Sequence, residues 1–331
     1  MKLLFVLFVF GIATAVQVGI SDDITVGGLS SGAFMAVQTH VALSETVKGA
    51  AVFAGGPYFC AMADFATANT NCMALGTNID IDHLISVIKD NEAKGLVDSS
   101  ENLAGSNVYV FSGTKDYTVN PKVNQNTQTF YEKLGANVES LFDFDAAHTM
   151  PTEDFGAICT VSMPPYIGKC GLNGAQASLQ HLHQDKVSNK LGETSASNVF
   201  SIPQSTDGTV MGGEAFAYIP TACQSDDADC SLHVVFHGCL QTIKDIQMQY
   251  VESTGYNEVA EANDMVILYP QAVSKSSGNP YGCWDWWGFI NNDYATNQGK
   301  QIAEVKRLID LLKSGDLKEA KQVYPRETLK E

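Results

Sequence analysis

Positive charge is scarce in this sequence. Its 331 residues hold 20 Lys and Arg against 37 Asp and Glu, a formal net charge of −17. A chain that acidic repels phosphate backbones and anionic headgroups, so neither nucleic acid nor a membrane surface is an expected partner. A neutral or solid substrate is not penalised. Long apolar runs are missing beyond the first residues, so no internal segment is expected to span a bilayer. There is no CxxC and no Cys/His cluster at metal-ligand spacing, so no metal and no cofactor are implied. Internal repeats and an interdomain linker are missing as well, and with 45% hydrophobic residues the chain suits one large core.

What is present begins with MKLLFVLFVFGIATA, residues 1–15. One Lys, a short apolar run and Ala13-Thr14-Ala15 form a secretory signal cleaved after Ala15. An N-terminal anchor helix is the competing reading, for which the run is short. Residues 16–331 are expected to form a single catalytic domain, secreted or lumenal. In an exported chain the eight Cys are expected to form disulfides. Sequence order suggests Cys60–Cys72, Cys159–Cys170 and Cys223–Cys230, leaving Cys239–Cys283, although eight Cys permit about a hundred connectivities.

Strand-like and helix-like segments alternate, which predicts an α/β class. Strands are expected at 23–28, 47–55, 108–112, 140–144, 215–220, 231–238 and 265–270. Helices are expected at 32–44, 81–93, 123–134, 175–183, up to about 263, and 297–313. Residues 185–213 are rich in Ser, Asn, Thr and Gly and read as a surface excursion.

Gly28-Leu29-Ser30-Ser31-Gly32 is a G-x-S-x-G between a β-rich run and a helix-like one. A serine hydroxyl is a weak nucleophile until a base takes its proton. A sharp strand-to-helix turn presents it, and the glycines two residues away on either side keep backbone and helix from colliding. The motif alone is weak; its strand–turn–helix setting makes Ser30 the candidate nucleophile. An acid and then a histidine should follow, each just past a strand. Asp116 lies in the loop after VYVF, and His148 lies before Thr149-Met150-Pro151. Asp143 and Asp145 compete for the acid, but the alternation FDFDAAH turns them outward. His148 would then be the general base and Asp116 would fix its tautomer. His181 and His183 form an H-x-H that helical geometry points to different faces, which favours solvent or packing roles over a metal.

An oxyanion hole needs two N–H donors. The amide of Ser31, after the nucleophile, is one. The loop His237-Gly238-Cys239 after LHVVF offers the amide of Cys239 as the other. That loop normally precedes the serine in the chain, whereas here it follows the histidine. The expectation is therefore an α/β-hydrolase fold that is circularly permuted, with a mostly parallel central sheet and helices on both faces. Tyr281-Gly282-Cys283-Trp284-Asp285-Trp286-Trp287 contains all three Trp of the chain. They are either core filler or an apolar binding surface at the site.

Taken together, GGLSSGAFMA, AAHTMPTEDFGAICTVSMPPYIGKC, FAYIPTACQSDDADCSLHVVFHGCLQ and YGCWDWW resemble the secreted poly(3-hydroxybutyrate) depolymerases of the circularly permuted, single-domain type. The resemblance covers nearly the whole chain after residue 15. It implies a serine esterase that cleaves polyester or oligoester substrates through an acyl-enzyme, with no cofactor protein. It assigns the triad to Ser30, Asp116 and His148, the oxyanion donors to Ser31 and Cys239, and a substrate-lining role within the aromatic run to Trp287. Tyr281, Trp284 and Trp286 are candidate neighbours. Members with a separate polymer-binding module carry it after the catalytic domain, so adsorption is expected on the domain's own surface. Two alternatives stand beside this one: another carboxylesterase on the same scaffold, of feruloyl or acetylxylan type, and a non-catalytic binding protein that kept the fold.

Overall fold

Three runs, GAAVF, NVYVF and MVILY, and the VVF that closes CSLHVVF, lack the apolar/polar alternation of a half-exposed strand. Such runs belong inside a parallel sheet covered on both faces. The computed structural model, which describes residues 16–275 and 278–324, places them there. The expected signal segment, 1–15, lies outside the described residues. In chain order the strands are β1 (Val16–Gln17), β2 (Ile20–Leu29), β3 (Gly49–Phe53), β4 (Asn107–Phe111), β5 (Asn137–Leu141), β6 (Met150–Thr152), β7 (Ala157–Ile158), β8 (Ile167–Lys169), β9 (Val199–Pro203), β10 (Glu214–Tyr218), β11 (Cys230–Phe236), β12 (Met265–Tyr269), β13 (Asp316–Leu317) and β14 (Lys321–Gln322).

Nine of them form one sheet in the order β14-β9-β10-β12-β11-β2-β3-β4-β5. The six from β12 to β5 run parallel, while β10, β9 and β14 add antiparallel pairings. β2, the strand ahead of Ser30, sits between β11 and β3. The helix Ser31–Ala42 starts where β2 ends, and all twelve of its residues are buried. The last helix, Lys300–Lys313, buries Ile302, Val305, Leu308, Ile309 and Leu312, spaced for one face, and leaves its charged side outward. Its C-terminal end meets the start of the first long strand: Val18 N–H donates to Gly315 O at 3.3 Å, and β1 pairs with β13.

The crossing of helix and sheet at Ser30 is tight. A Cβ at Gly32 would lie 2.1 Å from Phe236 O and 2.5 Å from His237 O. Both atoms are backbone and cannot rotate away. Gly32→Ala should therefore lower stability by about 3 kcal/mol, and the shifted loop should lower ester turnover too. Urea titration measures the first effect and a soluble ester assay the second.

The structure departs from the sequence expectations in three places. The stretch 185–213 is not wholly a surface excursion, because Val199–Pro203 is β9 of the main sheet and Val199, Phe200 and Ile202 are buried. The strand expected at 140–144 ends at Leu141, and His148 stands in the loop that follows. The single helix expected up to about 263 is broken into Ile243–Ile246, Gln249–Glu252 and Tyr256–Ala262. Gln247 and Gly255, both at positive φ, mark the breaks. Disulfides join Cys60–Cys72, Cys159–Cys170, Cys223–Cys230 and Cys239–Cys283. No helix among the described residues is long and apolar enough to cross a membrane.

Candidate active site

The strand registers bring the candidate residues to one edge. Leu29 pairs with Phe53, Phe53 with Phe111, and Phe236 with Gly28, so β2, β3, β4 and β11 finish level. Ser30, the Asp116 loop and the His237–Cys239 loop all leave from that edge. Ser30 has φ 59° and ψ −124°, a sparsely populated conformation for a residue with a side chain. It is held there because Ser30 N–H donates to Phe53 O at 2.9 Å, while Ser30 O accepts from Ala33 and Phe34 at the head of the helix. The result is a serine side chain presented at the tip of a strained turn.

Asp116 and His148, both buried, form a pair: His148 Nδ1 lies 2.8 Å from Asp116 Oδ2. Asp116 Oδ1 is occupied by the N–H groups of Thr118 and Val119, each at 2.9 Å. Asp143 and Asp145 are exposed instead, and Asp145 binds Thr114 and Lys115 at 2.6 and 2.8 Å. The His148 loop is steadied by the small sheet β6-β8-β7, closed by Cys159–Cys170. Ala147 N–H donates to Cys159 O at 2.8 Å, and Met150 N–H donates to Tyr166 O at 2.9 Å. Among the described residues no hydrogen bond joins Ser30 to His148, so one link of the expected relay is made and the other is open. Catalytic hydrogen bonds without substrate are often long and close only in the complex.

The His237–Cys239 loop lies against the serine. A Cβ at Gly238 would sit 3.3 Å from Ser30 Cβ. His237 is buried and accepts the Ala272 N–H on Nε2 at 3.1 Å, so its proton is on Nδ1 and is donated to Gly238 O at 2.7 Å. Burial pushes this imidazole down to about 4, so it stays neutral and serves as a fixed strut. Trp284 Nε1–H donates to His237 O at 2.9 Å, and Leu240 N–H donates to Tyr281 O at 2.7 Å. The amides of Ser31 and Cys239 have no protein acceptor among the described residues. Two unspent N–H donors beside a serine are what a developing oxyanion requires.

The aromatic run divides by burial. Trp284 is 0% exposed and packs on Phe236 and His237, which takes it out of the substrate surface and makes it a support of the loop. Trp286, 5% exposed, stacks on Phe34 with ring centroids 3.9 Å apart, so it is largely core as well. Trp287 is half-buried beside Phe65 and Phe289, and Tyr281 is 58% exposed. Asp285, between the indoles, is buried and accepts backbone N–H groups from Gly288, Phe289 and Ile290 at 2.8–3.0 Å. Burial pushes its carboxyl up to about 6 despite those donors. It staples the turn that presents Trp287, a role with no local signature in the sequence.

His181 and His183 turn to separate partners. His183 lies between Asp23 and Thr25, and His181 lies against Glu139. Among the described residues no group of three or more His, Cys, Asp or Glu is arranged to hold a metal.

No protein-family model matches the chain. Individual proteins do. A poly(3-hydroxybutyrate) depolymerase of Delftia acidovorans is 41% identical over 297 residues, 88% of this chain and 60% of that protein. The chain thus spans less than two thirds of that relative. A polyhydroxybutyrate depolymerase of Talaromyces funiculosus is 35% identical over 315 residues, 89% of this chain and 90% of that protein. Among solved structures, a serine-to-alanine variant of a PHB depolymerase in complex with an R3HB trimer superposes with a TM-score of 0.83 at 32% identity, covering 91% of this chain and 98% of that one. The PHB depolymerase of Penicillium funiculosum gives 0.82 at the same identity and coverage. The fold is that of the α/β-hydrolases. With 35% identity across 90% of a relative, on a shared fold, the chain belongs to the poly(3-hydroxybutyrate) depolymerase family.

Proposed function

We propose that the protein is a secreted serine esterase that hydrolyses poly(3-hydroxybutyrate) or its oligomers through an acyl-enzyme. The observation that carries this is the Asp116–His148 hydrogen bond of 2.8 Å at the sheet edge that holds Ser30 in its strained turn. Ser30 Oγ attacks the ester carbonyl and His148 Nε2 accepts the hydroxyl proton. Asp116 holds the Nδ1–H and steadies the imidazolium. The carbonyl oxygen, now negative, takes the N–H groups of Ser31 and Cys239. Collapse of the tetrahedral intermediate expels the hydroxyl end of the ester, which leaves with the proton from His148. Water, activated by the same imidazole, then attacks the acyl-enzyme and releases the acid.

A trimer-bound neighbour supports an oligoester as ligand. Trp287, half-buried beside Phe65 and Phe289, is read as the aromatic that lines its path. Four disulfides fit an oxidising compartment, in keeping with the export signal read at 1–15. A circular permutation is supported by the sheet order, in which β11 lies directly beside β2 and β12 directly beyond β11, and by the contact of Gly315 with Val18.

A solid substrate also needs a surface to hold it. Phe65, Tyr117, Ile158 and Tyr281 are 63%, 92%, 70% and 58% exposed. Phe65 touches Trp287, Tyr117 follows Asp116, Ile158 lies in the small sheet behind His148, and Tyr281 is bonded to the oxyanion loop. Ile158→Ser should slow clearing of a polymer suspension about fivefold, from the apolar area removed, and leave hydrolysis of a soluble trimer unchanged. The central reading is tested with a fluorophosphonate, which should label Ser30, and with paired substrates. Hydroxybutyrate trimer should be turned over far faster than methyl ferulate. The reverse order removes the polyester assignment, and an unreactive Ser30 removes the catalytic one.

A further inference from the structure

Gln241 does not touch the reacting atoms of the proposed mechanism, yet its amide joins the two loops the mechanism depends on. It is 1% exposed. Its Oε1 accepts the Gly238 N–H at 2.6 Å. Its Nε2 donates to Pro165 O at 2.9 Å and to Tyr166 O at 3.2 Å. The orientation of the amide is dictated by its partners, because an N–H must meet the oxygen and two carbonyls must meet the NH₂. Tyr166 O also accepts the N–H of Met150, two residues beyond His148, and Met150 is in register with Ile167. One side chain therefore ties the oxyanion loop to the segment that seats the base.

We propose that Gln241 is a positioning residue that sets the direction of the Cys239 N–H relative to His148. This rests on the reading of the Cys239 amide as an oxyanion donor. The geometry is restrictive. Gly238 has its N–H held by Gln241 and its C=O held by His237 Nδ1–H. In a planar trans peptide, C=O and N–H point opposite ways, so anchoring Gly238 O turns the Cys239 N–H away from the His237 ring. Without a Cβ, Gly238 has wide backbone freedom. Gln241 removes that freedom, with Oε1 only 2.8 Å from where a Cβ at Gly238 would be. Asparagine is one methylene too short to reach both sides, and glutamate cannot donate when ionised.

The test uses Gln241→Met and Gln241→Glu in the full chain, with Ser30→Ala alongside. The readouts are kcat and KM on soluble hydroxybutyrate trimer, the pH profile, and affinity for an alkylboronic acid that adds to the serine as a tetrahedral adduct. Gln241→Met should lose ~10²-fold in kcat, the scale of one misdirected oxyanion donor, with KM within about twofold. Boronate affinity should fall by a similar factor. Gln241→Glu should be equally poor in alkaline buffer, and the ratio of its kcat to the parent's at the same pH should rise on acidification, because a neutral carboxyl can again donate to Pro165 O or Tyr166 O. A merely structural role would lower the melting temperature without moving that ratio. Parent-like kcat in folded Gln241→Met overturns the proposal, as does a kcat loss with unchanged boronate affinity. Failure of both variants to fold overturns it too, by making Gln241 a folding residue. An active Ser30→Ala would instead bring down the underlying mechanism, whatever the Gln241 variants do.

Discussion

Ser30→Ala is expected to melt with the parent and to lose ~10⁶-fold in kcat on hydroxybutyrate trimer. The two halves of that result have separate causes. The Ser30 hydroxyl makes no hydrogen bond among the described residues, so its removal strands no buried partner and creates only a small void. The strained backbone is fixed by Ser30 N–H to Phe53 O and by the helix head on Ser30 O, and both survive in alanine. Stability should therefore change by less than about 1 kcal/mol. Activity should collapse because no other hydroxyl stands at the tip of the turn to form the acyl-enzyme. What remains, ~10³-fold above water, would come from the amides of Ser31 and Cys239 polarising a bound ester for direct attack by water. Thermal denaturation and a pH-stat assay read the two halves independently. Parent-like hydrolysis with an intact melt would remove Ser30 from the mechanism.

The serine could be found in the sequence because its constraint is local. Gly28 and Gly32 must be small, since backbone carbonyls stand 2.1–2.6 Å from where their Cβ atoms would be, and that requirement falls within five residues. The buried parallel strands were readable for a similar reason: a short, unbroken apolar run has few other places to go. β9 was missed because its three buried apolar residues, Val199, Phe200 and Ile202, sit inside a long polar stretch whose average composition hides them. The supports of the site were missed for a deeper reason. Gln241 reaches Pro165 across 76 positions, and His237 meets Ala272 across 35, so nothing near either residue announces its role. The aromatic run shows the same limit. Trp284, Trp286 and Trp287 look alike in sequence, and only the packing of Phe34, Phe236 and His237 around them decides which one faces outward.

Asp116→Asn should lower kcat ~10⁴-fold while leaving the fold and KM nearly unchanged, and the reason lies in the hydrogen bonds of this carboxylate. Asp116 Oδ1 accepts from Thr118 N–H and Val119 N–H, so the asparagine must keep its oxygen on that side. Its NH₂ is then forced into the place of Oδ2, which stands 2.8 Å from His148 Nδ1. A donor there can be accommodated only if Nδ1 is the acceptor, and the single proton of the neutral ring moves to Nε2. An imidazole protonated on Nε2 cannot take the proton of Ser30, so the base is present, correctly placed and in the wrong tautomer. The alternative flip would bring the NH₂ against two backbone N–H groups, with two unsatisfied donors buried as its cost. Burst kinetics should show acylation slowed, and nitrogen chemical shifts of His148 should report the tautomer directly. Retention of a tenth or more of the parent activity would mean that His148 is held in its working state by something other than Asp116.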